Sequence, residues 1–209
     1  MKLLWSGLVA VALCSGRSLS AQAIEFESNG LKYQTLTKNG LTLMFTYLPA
    51  HLKDYAVMQI AISNGSSISW TVRPEDFQYK RRDGTTATPV PPRKVVDRML
   101  ERAGRSEVIK LVTTYEAGIY GMARITSTNG YEQRRQAALA EMTSAKLKAA
   151  AAAAAVVYVS VKLSPGQSTD GAIFYALEGK PFGPGTLTVR AAGEVFEFES
   201  AGPEAFRSN

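Results

Sequence analysis

The sequence predicts a mainly β protein, an antiparallel β-sandwich that is interrupted by an insertion of two to three helices. Two blocks of short strands with period-2 alternation, residues 24–92 and 155–200, are separated by frequent turn signals. The block between them, residues 93–154, carries apolar residues at helical spacing. A chain of 209 residues is long enough for one large domain with such an insertion.

The first 23 residues are predicted to be a signal peptide. Lys2 gives a positively charged start, residues 3–13 form a short apolar segment, and Ala-Gln-Ala at 21–23 supplies a cleavage site. The alternative is an amphipathic first helix of the mature fold. The single cysteine, Cys14, is not preceded by the small residue that lipid attachment requires, so ordinary cleavage is expected. The sequence therefore predicts an exported protein, periplasmic or extracellular, whose mature chain has no disulfide.

Residues 24–92 are predicted to form the first half of the sandwich. The run at 55–63 alternates and is apolar on both faces, which is typical of a central strand. Shorter alternating runs precede and follow it. The turns between these strands are predicted at residue pairs that tolerate positive φ, namely Asn39-Gly40, Asn64-Gly65 and Asp83-Gly84.

Residues 93–154 are predicted to be the helical insertion. Val95, Met99 and the apolar residues next to them fall on one helical face, and residues 108–115 form a second such face. A glycine-rich and polar break is expected from 118 to 130. A third helix is predicted from 130 to 154, where it runs into consecutive alanines, the residue with the highest helix propensity.

Residues 155–200 are predicted to complete the sandwich. The β-branched run at 156–163 indicates a buried strand, and Asp170-Gly171 is interpreted as a turn. Further strands are expected before residue 200. Residues 201–209 are predicted to be a flexible tail.

Several of these turn and strand-end motifs resemble immunoglobulin-like domains of exported bacterial proteins. The resemblance covers the two strand blocks and not the insertion. It implies an extracytoplasmic accessory or adhesive domain and transfers no functional residues. The motifs are the Asn39-Gly40 hairpin, the strand end Ile62-Ser63-Asn64-Gly65-Ser66, Pro74-x-x-Phe77, Asp83-Gly84, Leu163-x-Pro165-Gly166 and Gly171-x-x-Phe174.

Catalytic chemistry finds little support in the sequence. The only histidine, His51, lies in a predicted loop without a partner motif, and no Gly-x-Ser-x-Gly nucleophile turn is present. Asp83 and Asp170 precede glycines and are interpreted as turn residues, whereas Glu197 and Glu199 share one face of a strand, most simply a solvated one. The sequence therefore predicts no catalytic residue, no cofactor and no metal site.

A binding role is the hypothesis that remains strongest. Loss of the leader lowers the formal net charge from +6 to +4, which suits solubility. Tyrosines beside glycines and paired arginines in the insertion have the composition of interface hot spots. The predicted partner-binding residues are Tyr120, Tyr131, Arg134 and Arg135.

The predicted function is an exported, non-catalytic binding or accessory module. The expected partner is another envelope or extracellular protein or a glycan, and no later segment of the sequence is long and apolar enough to span a membrane. Two alternatives stay open: a hydrolytic enzyme with an unrecognised site, and a weak polyanion or nucleic-acid binder. A steep fall of binding affinity with rising salt concentration would favour the polyanion hypothesis.

Overall fold

A computed structural model describes residues 23–48, 54–102, 105–121, 151, 154–179 and 182–202. The described part is mainly β, with eleven strands and two helices longer than one turn. Nearly all of the predicted leader, tail and third helix lies outside the described residues. The helices described are not long and apolar enough for any of them to cross a membrane.

The strands form a five-stranded, a four-stranded and a two-stranded antiparallel sheet, with the orders β1-β2-β3-β4-β9, β11-β10-β6-β7 and β5-β8. A short 3-10 helix, Pro74–Asp76, precedes β6. The other elements are β1 Ile24–Ser28, β2 Leu31–Lys38, β3 Leu41–Tyr47, β4 Tyr55–Asn64, β5 Trp70–Val72, β6 Phe77–Arg81, β7 Thr86–Ala87, α1 Pro92–Arg102, α2 Arg105–Gly121, β8 Val161–Leu163, β9 Ser168–Ala176, β10 Gly185–Ala191 and β11 Glu194–Ser200.

Strands from the two sides of the insertion pair in all three sheets. β4 pairs with β9 from Tyr55↔Ala176 to Ser63↔Ser168. β6 pairs with β10, and β5 pairs with β8. The predicted antiparallel sandwich with a helical insertion is therefore confirmed. Each strand block needs strands of the other block to complete its sheets.

The central strands of the five-stranded sheet are buried on both faces, whereas its edge strand β1 is largely exposed. One face packs on the other two sheets and forms the sandwich core, in which Phe45, Ile60 and Tyr175 meet Phe77 and Phe198. The other face packs on the insertion and forms the helix-side core. In that core, residues such as Val57 and Phe174 of the sheet meet apolar side chains of α1 and α2, including Val95, Met99 and Leu111. The protein thus has three layers, sheet on sheet on helices.

The hairpin predicted at Asn39-Gly40 is confirmed, because both residues have positive φ, 47° and 73°. The Asn64-Gly65 turn has a different cause from the one predicted. Asn64 is the last residue of β4 and is fully buried, and neither residue is among those with positive φ. Its carboxamide shapes the turn, since Oδ1 accepts from Ser66 N at 3.0 Å and Nδ2 donates to Ile68 O at 2.8 Å.

The turn predicted at Asp170-Gly171 is wrong. Both residues lie in the middle of β9, and Asp170 is only 4% exposed. The glycine is required there for close approach, because a Cβ on Gly171 would lie 2.7 Å from Cα and Cβ of Tyr158. Tyr158 N donates to Ala172 O at 2.8 Å, so this segment covers the outer edge of β9.

Two predicted boundaries of the insertion also differ. α2 continues through Gly118 to Gly121, where a break was predicted to begin. The buried strand predicted at 156–163 is strand only at β8, since residues 154–156 are helical and Val157 forms a single bridge with Ala172. Burial was nonetheless predicted correctly for Val156, Val157 and Tyr158. Packing of these residues against the five-stranded sheet therefore outweighs their β propensity.

Candidate functional site

Of the four predicted partner-binding residues, only Tyr120 lies within the described structure. Tyr120 lies in the last turn of α2. Tyr131, Arg134 and Arg135 lie outside the described residues, so their role stays a prediction. The described part of the insertion still shows how this layer is held on the sheet and which of its side chains face solvent.

Buried polar contacts attach α2 to the large sheet. The Tyr115 hydroxyl donates to the Asp170 carboxylate, and both residues are buried. Gln59 Nε2 donates to Tyr115 O at 3.3 Å, and the Tyr33 hydroxyl donates to Gly118 O at 3.1 Å. These bonds satisfy polar groups that would otherwise be desolvated without partners.

Gly118 permits the close approach of α2 to the sheet. A Cβ there would overlap the Gln59 carboxamide, with Cδ at 2.9 Å. The glycine therefore fits the helix against the strand, although it lowers helix propensity. Because Gln59, Tyr115 and Asp170 are all at most 4% exposed, this network serves anchoring and offers no surface to a ligand.

The solvent side of the insertion opens into a cleft between α1 and the adjoining ends of β4 and β9. It has a volume of about 890 Å³. We call it the α1 cleft and define it by its lining residues, Asp54, Tyr55, Lys94, Asp97, Arg98, Glu101, Ala176, Leu177, Glu178 and Gly179. Its lining carries four acidic and two basic side chains, so it suits a polar, charged partner.

One ion pair crosses this cleft. Arg98 donates to the Asp54 carboxylate through Nη2 and, at 3.2 Å, through Nε. The hydrogen bond with Asp54 raises the pKa of Arg98. Burial raises the pKa of the neighbouring Tyr55. The pair fixes the start of β4 against α1 and leaves Lys94, Asp97 and Glu101 exposed along the helix.

The sequence analysis missed the α1 cleft because its two walls are far apart in the chain. Asp54 and Arg98 are separated by 44 positions. The helical face that buries Val95 and Met99 was predicted, and it implies that Lys94, Asp97 and Glu101 face outward. No local pattern, however, indicates which loop residue meets that helix.

The described residues contain no group of three or more His, Cys, Asp or Glu that could hold a metal ion. Asp83 has the turn role predicted for it, since its Oδ1 accepts from Thr85 N at 2.8 Å. Glu197 and Glu199 share the exposed face of β11, as predicted. His51 lies outside the described residues.

Tyrosines are the titratable groups most affected by burial. Tyr47, Tyr158 and Tyr175 are almost fully buried, and desolvation raises the pKa of each well above its ordinary value. Desolvation likewise raises the pKa of Tyr33 to about 12. These hydroxyls stay protonated at neutral pH and act as hydrogen-bond donors or packing groups, not as bases.

The sequence matches no protein-family model and no curated protein. Among solved structures, the chain is similar to the yjhA protein from Bacillus subtilis. The two share 9% identity, with a TM-score of 0.31, over 79% of this chain and 76% of the other. That degree of likeness is too low to establish a shared fold or function.

Proposed function

We propose that this protein is an exported, non-catalytic module that binds another envelope component through its helical insertion. One observation carries the proposal. No described residue of the insertion belongs to the sandwich core, although strands that precede the insertion pair with strands that follow it in every sheet. The insertion is thus an added layer on a frame that has its own core.

The outer side of this layer has features of a recognition surface. Lys94, Asp97 and Glu101 of α1 are exposed beside the α1 cleft. On α2, the large aliphatic side chain of Ile109 is 54% exposed and accessible to a partner. Tyr131 and Arg135, which follow α2 in the chain, belong to the residue types enriched in hot spots.

Mixed charges around the α1 cleft favour a protein partner for this surface. Opposite charges placed side by side fix the register of a protein interface and reject partners with the wrong pattern. Export and kinship with immunoglobulin-like domains are part of the same proposal. They are supported by the leader-like first 23 residues and by the antiparallel sandwich.

Comparative capture from an envelope extract tests this proposal. The mature wild-type protein, Tyr131→Ala/Arg135→Ala and the α1 charge-reversal variant Lys94→Glu/Asp97→Lys are immobilised at equal density. We expect both insertion variants to retain at most about a tenth of the wild-type capture of a common partner, because loss of hot-spot contacts costs at least ~1.4 kcal/mol.

The matched control is Lys162→Ala/Arg190→Ala, which changes two exposed cations of the sandwich sheets. It should capture the partner as the wild type does. Melting curves are recorded for every variant. Wild-type capture by both insertion variants would contradict the proposal, and so would unfolding of Tyr131→Ala/Arg135→Ala, since these side chains would then belong to the core.

A further inference from the structure

A second cleft lies between the two large sheets and shares no lining residue with the α1 cleft. Its volume is about 350 Å³, and its lining comes from β1, β2, β11 and the turn between β6 and β7. We call it the β2 cleft and define it by Glu25, Lys32, Gln34, Arg82 and Glu199. Ligand sites commonly measure about 300–1,000 Å³, so this cleft suits a small ligand.

Gln34 is a buried polar residue in the lining of the β2 cleft. Gln34 is 7% exposed and shares its face of β2 with the exposed Lys32 and with Leu36, which packs into the sandwich core. Nε2 donates to Glu25 Oε1 at 2.6 Å and to the backbone oxygen of Glu199 at 3.0 Å. Because both partners can only accept, the orientation of the amide is fixed.

The other end of that amide has no partner. Gln34 Oε1 is buried and accepts no hydrogen bond from any described residue. A buried carbonyl oxygen without a donor costs free energy, so such groups are usually met by water or by a ligand. A ligand atom in the cleft that donates a hydrogen bond to Gln34 Oε1 would satisfy it.

The charges of the β2 cleft define the rest of the ligand. Two acidic and two basic residues line it, so the lining has no formal net charge. Lys32 and Arg82 are exposed and form no ion pair within the described residues. A complementary ligand is neutral overall, donates to Gln34 and Glu25, and accepts from the two cations.

We propose that the β2 cleft binds one or two rings of a neutral saccharide. Adjacent ring hydroxyls each donate and accept, which matches an amide oxygen and a carboxylate on one side and two cations on the other. The cleft volume of about 350 Å³ suits one or two sugar rings. This site is separate from the binding surface of the insertion, and the failure of either proposal leaves the other standing.

The test is a titration of the isotope-labelled mature protein with single sugars, in which amide chemical shifts are recorded by NMR. The sugars are glucose, galactose, N-acetylglucosamine, maltose and cellobiose. Concentrations up to about 50 mM detect millimolar dissociation constants. We expect saturable shifts of the Gln34 side-chain amide and of the Glu25 and Arg82 backbone amides with at least one of these sugars. The affinity should not change with salt, because the ligand carries no charge.

Variants assign the binding to the cleft. Gln34→Leu should weaken saccharide binding at least tenfold, and Arg82→Ala several-fold, while Arg190→Ala on the same sheet system leaves it unchanged. If Gln34→Leu does not fold, the exposed Arg82→Ala decides the matter. Unchanged affinity in the folded variants overturns the proposal.

Two other outcomes would also overturn it. One is the absence of shifts with every sugar, which would mean that water alone satisfies Gln34 Oε1. The other is binding of the zwitterion glycylglycine at the same residues, weakened strongly by salt, which would assign the cleft to a charged peptide end. A saturable, salt-independent saccharide response lost in Arg82→Ala supports the site.

Discussion

Gly171→Val should lower the free energy of unfolding by about 3 kcal/mol or more, at the upper end of overpacking effects. Gly171 lies in β9, where its missing side chain admits Tyr158, and a Cβ would stand 2.7 Å from the Tyr158 backbone. The neighbouring hydrogen bond from Tyr158 N to Ala172 O would be displaced as well. Urea unfolding of the mature protein measures the change.

The matched control for this substitution is Gly84→Ala. Gly84 has φ of 84° but no atom within 4 Å of an added Cβ. Its cost is limited to backbone strain, about 1 kcal/mol. If Gly171→Val proves no more destabilising than Gly84→Ala, the close packing of residue 158 against β9 is wrong.

Tyr115→Phe should lower the free energy of unfolding by about 2–3 kcal/mol, the value of a hydrogen bond to a charged group. The hydroxyl that donates to the buried Asp170 carboxylate is lost, and phenylalanine fills the same space without replacing it. Chemical denaturation is the measurement. The attachment of α2 to the sheet should weaken in parallel, seen as faster amide hydrogen exchange across α2.

Two variants bracket this effect. Asp170→Asn keeps an acceptor for the Tyr115 hydroxyl and should cost less than Tyr115→Phe. Tyr55→Phe, at a partly exposed tyrosine of the α1 cleft, should change stability by less than about 0.5 kcal/mol. A Tyr115→Phe protein as stable as the Tyr55→Phe protein would show that the Tyr115–Asp170 contact does not hold the insertion.

The parts of the fold that follow from short-range chemistry were predictable from sequence. The Asn39-Gly40 hairpin requires only that these two residues adopt positive φ, so it could be predicted from the dipeptide alone. The burial of both faces of β4 was predictable from its sequence, because all its residues except Gln59 and the terminal Asn64 are apolar, aromatic or small. The first helix, α1, begins at Pro92, where the period of the apolar residues changes.

Asp170-Gly171 and Gly118 were misinterpreted for one shared reason. Glycine in a sequence indicates either backbone freedom or close packing, and only the second applies here. Which one holds depends on Tyr158 and Gln59, residues distant from the glycines along the chain. The α1 cleft and the β2 cleft depend on contacts of the same long-range kind, so neither was predictable before the strand order was known.

The fragment 24–92 tests most directly whether strands on both sides of the insertion build one sandwich. In the full chain, β4, β6 and β5 of this fragment pair with β9, β10 and β8, which the fragment lacks. Isolated sheets without their partners are marginal in water. Thermal melting by circular dichroism, with sedimentation to give the association state, should show no cooperative transition for the fragment and a cooperative one for the mature chain. A monomeric fragment that melts cooperatively would contradict the single-sandwich architecture.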